Sequence, residues 1–139
     1  MNIRLPSEKL FGIYHLGRFI DKAHLKNQGK LSEEYLASFC SPKGLDGLFI
    51  DFFKLDQEEF LEAVANSSDT ARDQEIVSWV LSKVSEEQIE EWNEFAFNLG
   101  RPGTPSRERF EQVLPVKYPN LPPDFPGTVF EAIEADEKN

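Results

Sequence analysis

Three charges stand close together near the start of the chain: Arg18, Asp21 and Lys22. Their spacing puts them on one face of a helix. Tyr14 and Phe11 project onto the same face if the helix runs back that far. Charges set among aromatics must be paired or must hold a ligand, because a desolvated charge without a partner is costly. Two readings follow. In one, Arg18 is the planar fork of a small polar pocket for an anionic ligand, with Asp21, Lys22, Tyr14, Tyr35 and Asp51 around it. In the other, the group is an internal salt-bridge cluster in which Arg18 pairs with Asp21 or Asp51, and this is the preferred one.

Other chemistries find less support. There is no Glu-x-x-His and no His-x-x-x-His for a metal on a helix. His15 and His24 are nine residues apart, which points them to opposite sides of a continuous helix. No metal and no cofactor are expected. Cys40 precedes Ser41-Pro42 in a loop and matches no cysteine-enzyme signature, so it reads as a half-buried structural thiol. The acidic run Glu86, Glu87, Glu90, Glu91, Glu94 falls mainly opposite the stripe Ile89, Trp92, Ala96, Leu99 and reads as a solvated face. A Gly-rich phosphate loop, a Gly-x-Ser-x-Gly elbow and zinc spacing are all missing from the sequence.

The elements that must position these residues have a helical period nearly throughout. Leu16, Phe19, Ile20 and Ala23 form one stripe, predicting a helix that ends near Asn27 before Gly29. Leu45, Leu48, Phe49, Phe52 and Phe53 form a second. Asp56 with Glu59 reads as an N-cap followed by Phe60, Leu61 and Val64. Residues 66–69 are a loop, and Ile76, Val77, Val80, Leu81 and Val84 make the next stripe. Ser85 with Gln88 is a capping box opening the helix of Ile89 and Trp92.

Composition shifts after Gly100. Seven of the nine prolines lie between Pro102 and Pro126. Thr104-Pro105 starts a short helix to Val113, and the prolines after it predict an extended wrap over residues 114–127, anchored by Tyr118, Leu121 and Phe125. A last short helix covers 128–135, and residues 136–139 are expected to fray. The expected architecture is all-α: a compact bundle of five to six short helices with a Pro-rich extended C-terminal segment. Residues 1–100 form the helical domain, and 101–139 pack on it as an extension. Its expected core is Phe19, Ile20, Phe49, Phe52, Phe60, Val77, Val80, Ile89 and Trp92.

The whole chain has 139 residues and a net charge of −10. Residues 1–30 carry six Lys/Arg against two acids, a net +4, while the rest carries nine against 23, a net −14. That acidic bulk argues against nucleic-acid binding. No apolar run approaches the ~18 residues of a membrane helix, so no membrane partner is expected. One cysteine and a polar first segment without signal-peptide character suit the cytoplasm.

The run Leu16-Gly17-Arg18-Phe19-Ile20-Asp21-Lys22-Ala23-His24 resembles the Leu-Pro-Arg-x-Ile-Asp-Lys-Ala-Arg signature of a bacterial family catalogued only as a domain of unknown function. Gly29-Lys30-Leu31, Glu34-Tyr35, the run from Leu45 to Asp56, and Glu75-Ile76-Val77-Ser78-Trp79-Val80 continue the likeness in order, over roughly residues 6–95. Gly17 stands where the family has Pro and His24 where it has a second Arg, departures that bear on the helix start and weaken a two-Arg anion clamp. The resemblance implies a compact all-α domain and no reaction. The preferred function is a small helical binding or interaction protein, for an anionic ligand or a protein partner. The alternative is an enzyme acting on a small anionic substrate around Arg18, Asp21 and Lys22.

Overall fold

Apolar residues spaced three and four apart fold into helices along this chain. A computed structural model describes residues 3–138. Among the described residues, the order is α1 Leu16–Asn27, α2 Glu33–Leu36, α3 Leu45–Phe53, α4 Gln57–Asn66, α5 Arg72–Leu81, α6 Glu86–Asn98, α7 Arg107–Lys117 and α8 Val129–Lys138. Among these described residues the class is all-α, with an isolated bridge between Leu10 and Ile13. No helix among the described residues is long and apolar enough to cross a membrane.

Eight helices replace the expected five to six. One addition, α2, is a single turn with no buried residue, so no apolar stripe announces it. The other departure lies in the proline-rich tail. The helix there starts at Arg107 rather than Pro105, and runs past Val113 through Pro115 to Lys117. Proline inside a helix costs about 3 kcal/mol. Here the helix continues to place Phe110, Leu114 and Tyr118 in buried positions. Extended chain is thereby confined to the turns after Tyr118, and Phe125 is half-buried rather than a buried anchor. Residues 136–138, expected to fray, are helical and belong to α8, and the expectation for Asn139 lies outside the described residues. A capping box supports α8, with Thr128 Oγ1 accepting from the Glu131 amide at 3.2 Å and Glu131 Oε1 accepting from the Thr128 amide at 3.0 Å.

The chain divides into two units, Met1–Trp92 and Asn93–Asn139. In the first, α1 packs against α4 and α5. Phe19 stacks on Phe60 at 4.3 Å and meets Phe49 edge-on at 5.9 Å. Trp92 is fully buried, edge-on to Phe49, and its indole donates to the Tyr14 carbonyl at 2.9 Å. Of the expected core, Phe52 and Ile89 are only partly buried. Gly47 on α3 lets the chain at Ser41 and Pro42 rest on the helix. A Cβ there would collide with the Ser41 carbonyl oxygen and lie 2.6 Å from Pro42 Cα. The second unit is drawn together by Arg107, which donates to the carbonyls of Gly100, Gly127 and Phe125 at 3.1, 3.0 and 2.6 Å.

Candidate functional site

Asp46, in the first turn of α3, is the polar centre of the first unit. Its side chain is fully buried. Oδ1 lies 2.7 Å from His15 Nε2, and Oδ2 accepts from Lys22 Nζ at 2.9 Å and from the Cys40 amide at 3.0 Å. Burial alone would push this carboxyl up. The His15 hydrogen bond, the Lys22 ammonium and the Cys40 N–H together hold it well below the usual carboxylate range. An ionised carboxylate only accepts, so His15 Nε2 carries the proton and Nδ1 is bare. That Nδ1 is buried and makes no hydrogen bond. Burial lowers the affinity of His15 for a second proton; Asp46 opposes this, while Lys22 and Arg18 add to it.

Both shifts give the same acid dependence. Below about pH 6.5 the unfolded chain takes up a proton at His15 that the folded chain refuses. Below about 3.8 the same holds for Asp46. The contribution of these groups is therefore complete above the first value and lost progressively on acidification. Urea titrations at a series of pH values should show stability falling from about pH 6.5 downward, with His15→Asn removing that upper limb. Stability that is level between pH 7 and 5 would contradict the assignment.

Of the six residues marked out by sequence, Arg18 and Tyr35 come together, while Lys22 and Asp21 meet charges from elsewhere in the chain. Lys22 is 6% exposed and joins Asp46 rather than a ligand pocket. Asp21 is engaged by Arg4, with Nη2 and Nε at 2.9 and 3.0 Å and the Arg4 amide at 2.8 Å. The same guanidinium reaches Asp73 Oδ2 and Oδ1 at 2.8 and 3.0 Å, and these two carboxylates hold it charged. Arg18 is buried, donates to the Arg4 carbonyl at 3.2 Å, and lies 5.7 Å over the Tyr35 ring. Helix geometry placed Arg18 and Asp21 on one face, but only the folded N-terminal segment brings Arg4 to Asp21. Tyr14 lies under Lys9 Nζ at 4.8 Å, and Asp51 is exposed.

Two open grooves border these residues. One, of about 420 Å³, is lined by Arg4, Asp21, His24 and residues 69–74. Its guanidiniums are already paired, Arg4 as above and Arg72 with Asp69 at 2.6 Å. The other, of about 640 Å³, is lined by Cys40, Pro42, Gly47, Ile50, Asp51, Lys54, Leu55 and Gln57. The Cys40 thiol is pushed up to about 12, by burial first and then by Asp46. That is far from an activated nucleophile.

Sequence reasoning missed Asp46, His15, Arg4 and Phe11. Asp46 reads as an acid at a helix start, and nothing local reports its burial. Phe11-Gly12 did carry a signal. Leu10 and Ile13 exchange backbone hydrogen bonds at 3.1 and 3.0 Å, and Phe11 and Gly12 between them have φ of 50° and 78°. This is the pattern of a two-residue type I′ turn, which favours Asn-Gly or Asp-Gly. Phe11 stands at its apex, 65% exposed.

The chain belongs to the family described as a domain of unknown function, DUF5069, which it matches over residues 1–139. The match extends through the proline-rich tail, beyond residues 6–95. None of the curated proteins matches the chain.

Proposed function

We propose that this DUF5069 protein is a helical interaction domain that binds a protein partner, with Phe11 as an anchor. The observation behind this reading is the turn at Phe11. A bulky residue held in left-handed backbone costs about 1–3 kcal/mol, and Phe11 recovers little of that by burial, being 65% exposed. Asparagine would serve the turn better. A large ring presented to solvent at a cost in stability suits a contact residue, since rigid aromatics dominate binding energy at interfaces. One half-buried cysteine suits a reducing compartment, the cytoplasm.

The alternative, an enzyme acting on a small anionic substrate around Arg18, Asp21 and Lys22, is disfavoured by the engagement of Asp21 with Arg4 and of Lys22 with Asp46. An anion there would have to displace carboxylates from their cations.

Phe11→Asn separates the two roles. The variant should be more stable by about 0.5–1 kcal/mol, read from denaturant unfolding. A discrete partner recovered with the native protein by in-cell photocrosslinking beside the turn should be lost with the variant. Equal recovery by both proteins, or a variant less stable than the parent, would defeat the reading.

A further inference from the structure

We propose that the buried His15–Asp46 pair is an acid-sensitive latch: a proton on His15 Nδ1 releases the segment 37–44 from α3. This concerns a part of the molecule that the Phe11 reading does not use. Three observations carry it. First, Nδ1 is buried without a partner, with the rings of Phe19 and Phe49 centred 6.0 and 6.3 Å away. A proton placed there would be a donor with no acceptor inside the fold. Second, the ring already lies among cations. From α1 come Arg18 and Lys22, both acting on His15 electrostatically; from α3 comes Asp46; from the segment before α3 comes the neutral Cys40 thiol, whose amide is bonded to Asp46. An imidazolium would add a third cation beside Lys22 and Arg18.

Third, the parts of this cluster differ in how firmly they are built. His15 is itself in left-handed backbone at φ 72°, but it is tied into the start of α1, with its amide donating to the Pro6 carbonyl at 2.9 Å and its carbonyl accepting from Phe19 at 2.9 Å. Asp46 sits in the first turn of α3 beside the buried Leu45 and Gly47. The segment 37–44 is turn structure, with Ala37, Pro42 and Lys43 exposed and Cys40 at φ 58°, a strained backbone for a non-glycine residue. Its buried polar tie is the Cys40 amide on Asp46 Oδ2. A protonated ring needs water, and Asp46 needs to turn with it. The segment that yields at least cost is the strained turn, whose opening also bares the Cys40 wall of the groove along α3.

The test is hydrogen exchange of the full native chain between pH 7 and 5, normalised at each pH to the rate of the unfolded peptide. The Cys40 amide should lose protection by up to about tenfold per pH unit as opening lets His15 take its proton, and at every pH it should exchange faster than the amides of Phe19 and Ile20 in α1, which open only with the whole fold. Dithiodipyridine, a disulfide reagent that works in acid, should report the same opening at the Cys40 thiol relative to the denatured chain. His15→Asn, which takes up no proton and suits the left-handed backbone of this position at φ 72°, should make both readouts level. Cys40 protection that does not change with pH overturns the proposal. So does Cys40 exchange no faster than that of α1 at any pH, which is global unfolding, or an equal acid response in His15→Asn. If that variant does not fold, the contrast between Cys40 and α1 in the native chain still decides.

Discussion

Asp46→Ala is expected to lower the stability of the first unit by about 3–5 kcal/mol, the usual cost of removing one member of a buried ion pair. The size follows from what is left behind. Lys22, at 6% side-chain exposure, loses its carboxylate. His15 Nε2–H and the Cys40 amide lose their acceptor. Adding Lys22→Met to that background should return part of the loss, because the unpaired buried charge goes with it. Denaturant unfolding of the two variants measures both steps. A loss below about 1 kcal/mol, typical of exposed pairs, would mean that the cluster is open to water and would remove the basis of the latch as well.

Arg107→Met is expected to unravel the second unit's tail. The guanidinium is 12% exposed and donates to three main-chain carbonyls, those of Gly100, Phe125 and Gly127. Methionine keeps most of the stem's packing but supplies no donor. Hydrogen bonds from a charged group are worth about 1.5–3 kcal/mol each, and they are not additive. A loss of about 2–4 kcal/mol is the expectation, within the range of broken buried networks. Amide exchange in α8 reads it locally. The Val129 amide, which donates to the Leu99 carbonyl at 2.9 Å, should lose protection early. The ion pair of Arg107 with Glu111 is not the cause: Glu111 is over half exposed, so Glu111→Gln should change little.

Much of the fold was legible because its signals are local. The stripe from Leu16 to Ala23 became α1, ending at Asn27 as its period predicts. The stripe from Leu45 to Phe53 became α3. Asp56 caps α4 by accepting from the Glu59 amide at 3.0 Å, and Ser85 with Gln88 forms the capping box at α6. Each depends on residues within four positions of one another, where backbone geometry alone sets the distances. The proline rule misled for the same reason. Pro115 is unfavourable locally, but the burial of Phe110, Leu114 and Tyr118 outweighs it, and burial is not a local quantity.

The candidate site was legible only as a composition of one helix face. The sequence determined by itself that Arg18, Asp21 and Lys22 lie together on α1 and that charges so placed need partners. The tertiary structure decided which partners. Arg4 reaches Asp21 across 17 positions and Asp73 across 69, and Asp46 reaches Lys22 across 24 and His15 across 31. Separations of that size leave no periodicity to read, since an ion pair depends on distance in space and on the water excluded around it. The same exclusion sets the fate of His15. Its residue type promised a titrating group, and only the packing of α1 against its neighbours left one ring nitrogen buried and unbonded.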